Sequence, residues 1–370
     1  MSPPLIRDWL DRVRATVEER SRDLGIDELH TLVRRDTARA YDYYQRDQKR
    51  DEALPSRGLE RYLSVTKAVF LSFLRKLTPA RRLAYVIALL TFLWGFIRDD
   101  WTGALVGFVV LNFLLALELA EKLLTKDELE IARVIQFSLY PVANPKLPNL
   151  DVASYFLPAS EVGGDYYDFA FEGSRRFTVI LGDVSGKGIP AALYAMRLQA
   201  LFEVLGKGSL SPKQMLVEMN DVISERIERN YFITAVVAVV DFRERKLVLA
   251  RAGHNHPLHY SAETGETRWL APEGVGIGMR KKPAFDGLME ESQLALGPGD
   301  VLLFYTDGVS ETMNRSLQPY GYDRLEVVLR ETAHRPASEI KEALLRSLNA
   351  FREDRPFDDD VTLVVTKVTG

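Results

Sequence analysis

From Leu150 onward the chain alternates short apolar, β-branched runs with turn residues. This rhythm predicts strands over 151–158, 176–182, 233–241, 246–252, 301–306 and 361–368. Apolar positions at helical spacing between them predict helices over 191–205, 212–229, 322–331 and 337–353. Val240 to Lys246 reads as a tight hairpin. Strand runs interleaved with helix pairs point to a mostly antiparallel sheet layer covered by helices, an α+β domain of about 220 residues.

The pattern upstream is different. Leu83 to Ile97 and Ala104 to Leu117 carry no charge, and Arg98-Asp99-Asp100-Trp101 separates them. Each run is shorter than the ~20 residues that span a bilayer, but a few flanking residues supply the difference. Arg75, Lys76, Arg81 and Arg82 precede the pair, Lys122 and Lys126 follow it, and the loop between is net acidic. That asymmetry predicts a two-helix transmembrane hairpin with both ends cytoplasmic and Trp94 and Trp101 near the outer interface. The alternative is an apolar hairpin inside a soluble helical bundle.

Beyond the hairpin, Leu117, Leu124 and Ile131 fall seven apart, with Ala120 and Val134 in the companion seam and Asp127 interrupting it. This predicts an imperfect coiled coil ending at Pro141, and a homodimer formed through 117–139. The alternative is one amphipathic helix lying on the domain behind it. Before the hairpin, Leu5, Ile6, Trp9, Leu10, Val13 and Val17 recur at helical spacing, as expected for small solvated helices in a tether or packing region. The expected division is therefore a helical cytosolic region over 1–78, the hairpin over 79–119, a helical linker over 120–148, and the α+β domain over 149–370.

Composition narrows the chemistry. Of 370 residues 46% are apolar and 27% charged, as in ordinary folded proteins. A net charge of -4 argues against nucleic acid as the main partner. The absence of cysteine removes disulfides, thiolate nucleophiles and Cys-ligated zinc. The first residues lack the apolar core and small-residue cleavage site of a signal peptide.

Four Asp-centred motifs stand where predicted strands end in small residues: Gly163-Gly164-Asp165, Gly182 to Gly188 around Asp183, Thr306-Asp307-Gly308, and Asp358-Asp359-Asp360. Any one of them is an ordinary turn or cap by frequency, and four in one domain weaken that reading. Asp is short, hard and anionic, which suits Mg²⁺ or Mn²⁺, and gathered carboxylates need a cation to offset their repulsion. A pair of such ions suits activation of water for in-line attack on a phosphate. Other motifs carry less. Gly182 to Lys187 has three residues between its glycines where a P-loop has four, so Lys187 is expected to be solvated. Gly163-Gly164-Asp165 matches the turn of diguanylate cyclases over three residues only. Gly274 to Gly278 is a lone Gly-rich loop. His254 and His256 lie two apart, but zinc would need further ligands from His30, His259 or His334, and a hydrogen-bonded turn is expected there.

Taken together, EVGGDYYDF (Glu161 to Phe169), GDVSGKG (Gly182 to Gly188), AGHNHP (Ala252 to Pro257), YTDGVSE (Tyr305 to Glu311) and DDDVT (Asp358 to Thr362) resemble, in order and spacing, the SpoIIE/RsbU bacterial branch of PPM-type Ser/Thr protein phosphatases. The resemblance covers about Glu130 to Thr369. It implies a β-sandwich flanked by helices and two Mn²⁺ or Mg²⁺ ions at one edge. Matched motif by motif, Asp183 would bridge both ions and Val184 would offer its carbonyl. Asp307 and Asp359 would ligate one ion and Asp165 the other, with Asp168 and Asp360 left open. It also implies a STAS-type anti-anti-sigma phosphoprotein as substrate, hence a part in sigma-factor regulation from the bacterial inner membrane. The departures are the missing phosphate-binding Arg beside Glu161, His256 within the AGHNHP motif, and Gly276-Ile277-Gly278 at a usual PLG turn. No general acid is evident, so water is the default proton source. The rival expectations are a catalytically weak pseudo-phosphatase acting as a binding module, and a nucleotide cyclase.

Overall fold

The computed structural model describes residues 70–370 apart from 72, 76 and 174, so the helices expected over 1–57, and His30, lie outside the described residues. The chain divides into two units, Met1–Leu123 and Leu124–Gly370.

Helix α1 (Pro79–Ile97) lies in the first unit and is joined by a tight turn to α2 (Trp101–Phe137), whose residues from Leu124 on belong to the second unit. Asp100 starts α2: its Oδ1 accepts the Thr102 backbone N–H at 3.1 Å and the Thr102 hydroxyl at 2.6 Å. Small residues let the two helices touch. A Cβ on Gly95 would lie 2.3 Å from the Ala104 nitrogen, and one on Gly107 2.5 Å from that of Phe92. Both helices are long and apolar enough to cross a membrane, and only 11% of each apolar window is buried. Helix α2 runs unbroken to Phe137, so no backbone break marks 119/120. Its seam residues Leu117, Leu124, Ile131 and Val134 are all exposed.

The second unit is a sandwich of two five-stranded sheets, ordered β1-β10-β9-β6-β7 and β2-β3-β4-β5-β8, with every paired strand antiparallel. The strands are β1 (Leu150–Leu157), β2 (Tyr166–Glu172), β3 (Arg176–Val184), β4 (Ile233–Asp241), β5 (Lys246–Ala252), β6 (Leu258–Tyr260), β7 (Thr267–Trp269), β8 (Glu291–Ala295), β9 (Val301–Tyr305) and β10 (Val361–Val368). The expected β4–β5 hairpin is present, with Asp241 opposite Lys246.

Period-two alternation separates two cores. Leu302 and Phe304 of β9 join the core shared by both sheets with α3 (Ile189–Leu205) and α4 (Pro212–Ser224). Their neighbours Val301, Leu303 and Tyr305 face a second core with α7 (Tyr322–Thr332) and α8 (Ala337–Arg352). Two faces buried at once explain why β9 reads as an unbroken apolar run. Helix α8 supplies Ile340, Leu344, Leu345 and Leu348 at helical spacing. Helix α4 begins in a capping box, where Ser211 and Gln214 satisfy each other's backbone N–H groups. The short elements α5 (Ala284–Gly287) and α6 (Asp307–Ser310) complete the set. The result is the α+β sandwich flanked by helices that the pattern and the resemblance predicted. Strands β2, β6, β7 and β8 and the two short helices were not legible in the pattern.

Candidate metal centre

Strand β3 places Asp183 and Val184 opposite Thr234 and Ile233 of β4. Helix α3 packs so closely behind it that a Cβ on Gly182 would lie 2.4 Å from Leu198 Cδ2. The chain then leaves the sheet through Gly186 (φ +93) and Gly188 (φ +76), backbone conformations that glycine adopts without strain. Asp165 precedes β2 in the same sheet. From the other sheet come Asp307, the first residue of α6 after β9, and Asp359 and Asp360, just before β10.

Interlocking contacts draw these motifs together. Asp360 Oδ2 accepts the N–H groups of Gly164 (2.6 Å) and Asp165 (3.3 Å), and its Oδ1 accepts that of Ala159 (2.8 Å). A Cβ on Gly163 would lie 2.4 Å from Asp360 Oδ2, one on Gly308 1.9 Å from the Asp360 carbonyl, and one on Gly164 2.9 Å from that of Val184. The glycines of three motifs are thus required by close approach. Asp165 is buried, and its Oδ2 accepts the hydroxyls of Thr306 (2.7 Å) and Thr362. The last turn of α2 reaches the same place. Gln136 and Gly163 exchange two hydrogen bonds, at 2.6 and 3.0 Å, and the Tyr140 hydroxyl donates to the Asp165 carbonyl.

The electrostatics follow from gathering anions in a poorly solvated place. Burial, and then the charges of Asp307, Asp359 and Asp360, push the Asp183 carboxyl up to about 7. Burial and the charges of Asp183 and Asp360 raise Asp165 well above the carboxylate range, against its two hydroxyl donors. Asp307 is raised by burial and by Glu311 and Asp359. Burial raises Asp360 too, while its three backbone donors offset part of the effect. Such a set fits a hard divalent cation, whose charge would reverse each of these shifts. As oriented, the side chains are neighbours rather than a finished shell, since among the described residues no three acidic or imidazole groups are gathered closely enough to hold an ion.

The remaining candidates sort by contact. Asp168 lies on β2, accepting the Tyr166 hydroxyl at 2.7 Å and the Phe169 N–H at 2.7 Å. Lys187 is exposed, as expected, and also makes partners that the sequence did not indicate: its Nζ stands 2.9 Å from Asp359 Oδ2 and donates to the Asp358 carbonyl. Burial pushes His254 down to about 3, so the ring is neutral, and Thr234 Oγ1 lies 2.9 Å from its Nδ1. His256 is exposed and His259 pairs with Asp300 at 3.2 Å, so the histidines share no site. Thr306, Thr362, Gln136 and Tyr140 were missed by sequence reasoning. The two threonines stood inside the quoted motifs, and Gln136 and Tyr140 carried no signal.

Comparison with known proteins shows the family and the fold. The family model for stage II sporulation protein E (SpoIIE) matches residues 173–369, more than half of the chain. The phosphoserine phosphatase RsbU of Bacillus subtilis is 28% identical over 65% of this chain and 70% of its own length. The phosphoserine phosphatase RsbP of the same organism is 29% identical over 67% of this chain, which spans only 59% of that relative. Among solved structures, the SiaA PP2C domain of Pseudomonas aeruginosa superposes with a TM-score of 0.58 at 24% identity, covering 67% of this chain and 98% of that one. The RsbU and RsbW domains of Rv1364c from Mycobacterium tuberculosis give a TM-score of 0.52 at 25% identity, covering 61% of each chain.

Proposed function

Because this chain belongs to the SpoIIE family of PP2C-fold protein Ser/Thr phosphatases, we propose that it hydrolyses phosphoserine or phosphothreonine monoesters with two Mn²⁺ or Mg²⁺ ions at the sheet edge. Asp183 and the Val184 carbonyl would help hold both ions, with Asp307 and Asp359 toward one and Asp165 toward the other. The ions supply Lewis acidity and a lowered pKa for attacking water. The chain's own residues fix the geometry: Thr306 and Thr362 hold Asp165 by the oxygen they share, and Asp360 holds the turn that carries it. Asp360 is thus a positioning residue, and Asp168 has no direct part.

The observation that carries this reading is the convergence of Asp165, Asp183, Asp307 and Asp359 from both sheets, with the raised carboxyls that follow. The substrate is a STAS-type anti-anti-sigma phosphoprotein in a partner-switching pathway, as the family resemblance implies, and the names of the RsbU and RsbP relatives support its phosphoserine chemistry. The two apolar helices anchor the chain in the bacterial inner membrane with the phosphatase domain, 149–370, on the cytoplasmic side. The exposed seam over 117–139 pairs two copies. Its last turn, through Gln136, passes the state of the N-terminal half to the Gly163–Asp165 turn and so to the site behind α3. The test is Mn²⁺-dependent phosphate release by the full chain in detergent, from p-nitrophenyl phosphate and from a phosphorylated STAS protein. Activity that survives Asp183→Asn combined with Asp307→Asn would overturn the mechanism.

A further inference from the structure

Among the described residues, Lys187 is the one cation in an ion pair with Asp165, Asp183, Asp307 or Asp359. It arises from the loop after Asp183, where Gly186 and Gly188 on either side have positive φ and lift the backbone off the sheet. Its ammonium crosses to the other sheet's loop, bonding Asp359 Oδ2 and the Asp358 carbonyl, and its charge also reaches Asp307, whose carboxyl it favours as the anion. Asp358 is held separately by Arg355 at 2.9 Å. The Lys187 side chain is 57% exposed and that of Asp359 46%, so the pair is weak and readily exchanged. Along the chain no arginine adjoins Glu161, although Arg133 of α2 lines a pocket with it.

We propose that Lys187 is the side chain that holds the substrate phosphoryl group, and that it shares Asp359 with the adjacent divalent ion as alternative counter-ions. This rests on the two-ion reading above. The Asp359 Oδ1 already accepts the Asp360 N–H at 2.9 Å, which leaves Oδ2 for the ammonium or an ion, so an ion on Oδ2 displaces Lys187 from it. The displaced ammonium stays tethered at the mouth of the site, where it meets the next anion to arrive, the phosphoryl oxygens. A single flexible lysine binds as a point charge and imposes less geometry than an arginine fork, which suits a site that must admit a folded phosphoprotein.

The experiment compares the full wild-type chain in detergent with Lys187→Met and Lys187→Arg. Mn²⁺ affinity is read by calorimetry, and inorganic phosphate affinity by product inhibition of p-nitrophenyl phosphate hydrolysis. Removing the competing cation should tighten Mn²⁺ binding by about two- to fivefold in Lys187→Met, the scale of an exposed ion pair. The same variant should bind inorganic phosphate about five- to tenfold more weakly, as expected for one lost charge-assisted hydrogen bond, while Lys187→Arg stays near wild type. Unchanged Mn²⁺ affinity, or unchanged phosphate inhibition, overturns the proposal. Absence of Mn²⁺ binding by the wild-type chain would instead sink the two-ion reading on which it stands.

Discussion

The two sheets deliver their carboxylates in different states. Asp165, before β2, is buried, fixed by two hydroxyls and flanked by a turn that Asp360 grips at three N–H groups. Asp359, before β10, is half-exposed: its Oδ2 pairs with the exposed Lys187 ammonium, and among the described residues its only backbone donor is the N–H of the next residue, Asp360, at 2.9 Å. One half of the site is therefore built before any ligand arrives, and the other half exchanges partners. The contacts that fix the first half come mostly from the second sheet: Thr306, Thr362 and Asp360 all belong to its loops or strands. A rigid ligand on one sheet thus depends on the register of the other, which makes sandwich packing a condition for the chemistry.

The largest expected effect lies where the halves meet. Asp183→Asn should lower Mn²⁺-dependent turnover by about a thousandfold or more, because on the proposed two-ion reading its carboxylate would serve both ions. A loss under tenfold, measured on p-nitrophenyl phosphate, would mean that the sheets do not share a bridging group. Next comes the grip on the built half. Asp360→Ala leaves three backbone donors without their charged acceptor and should lower unfolding stability by about 2–3 kcal/mol, read by thermal or urea unfolding. Replacing Thr306 and Thr362 together by valine keeps shape and removes both hydroxyls from Asp165. Mn²⁺ affinity should fall by about tenfold or more, and calorimetry that finds no change would erase the contrast between a fixed and an exchanging half.

The smallest effect is a pH dependence. Asp183, raised from 3.8 to about 7, stabilises the fold fully below 3.8 and loses that contribution as pH rises through about 7. Asp165 and Asp307 shift in the same direction. With divalent ions chelated, the melting temperature should be about 2–8 °C lower at pH 7.5 than at pH 5, and Mn²⁺ should restore it. A melting temperature that rises with pH under chelation would show that the anions are not gathered as described.

The long strands were legible because they carry apolar runs on buried faces, and β4, β5 and β10 begin and end where the pattern put them. Strand β2 was missed because Tyr166-Tyr167-Asp168-Phe169 neither alternates nor forms a plain apolar run, and β6 and β7 are three residues each. The motif aspartates were legible as glycine-flanked strand ends. Lys187 is exposed as expected, but its partner Asp359 was not legible because it is 172 positions away, and no local rule pairs residues at that distance.

What the sequence determined by itself is the inventory: which segments are strand or helix, which two runs are apolar enough to meet lipid, and which short hard carboxylates stand at strand ends. Local propensity, period and hydropathy act over a few residues, so they are written along the chain. Tertiary structure alone decided that Asp165 is held by Thr306 and Thr362, that Asp360 grips a turn instead of facing Asp183's partners, and that Gln136 bonds Gly163. The first two contacts join residues brought together only when two sheets pack through one core, the third docks the end of α2 on the loop before β2, and the raised carboxyls follow from packing that excludes water and gathers like charges.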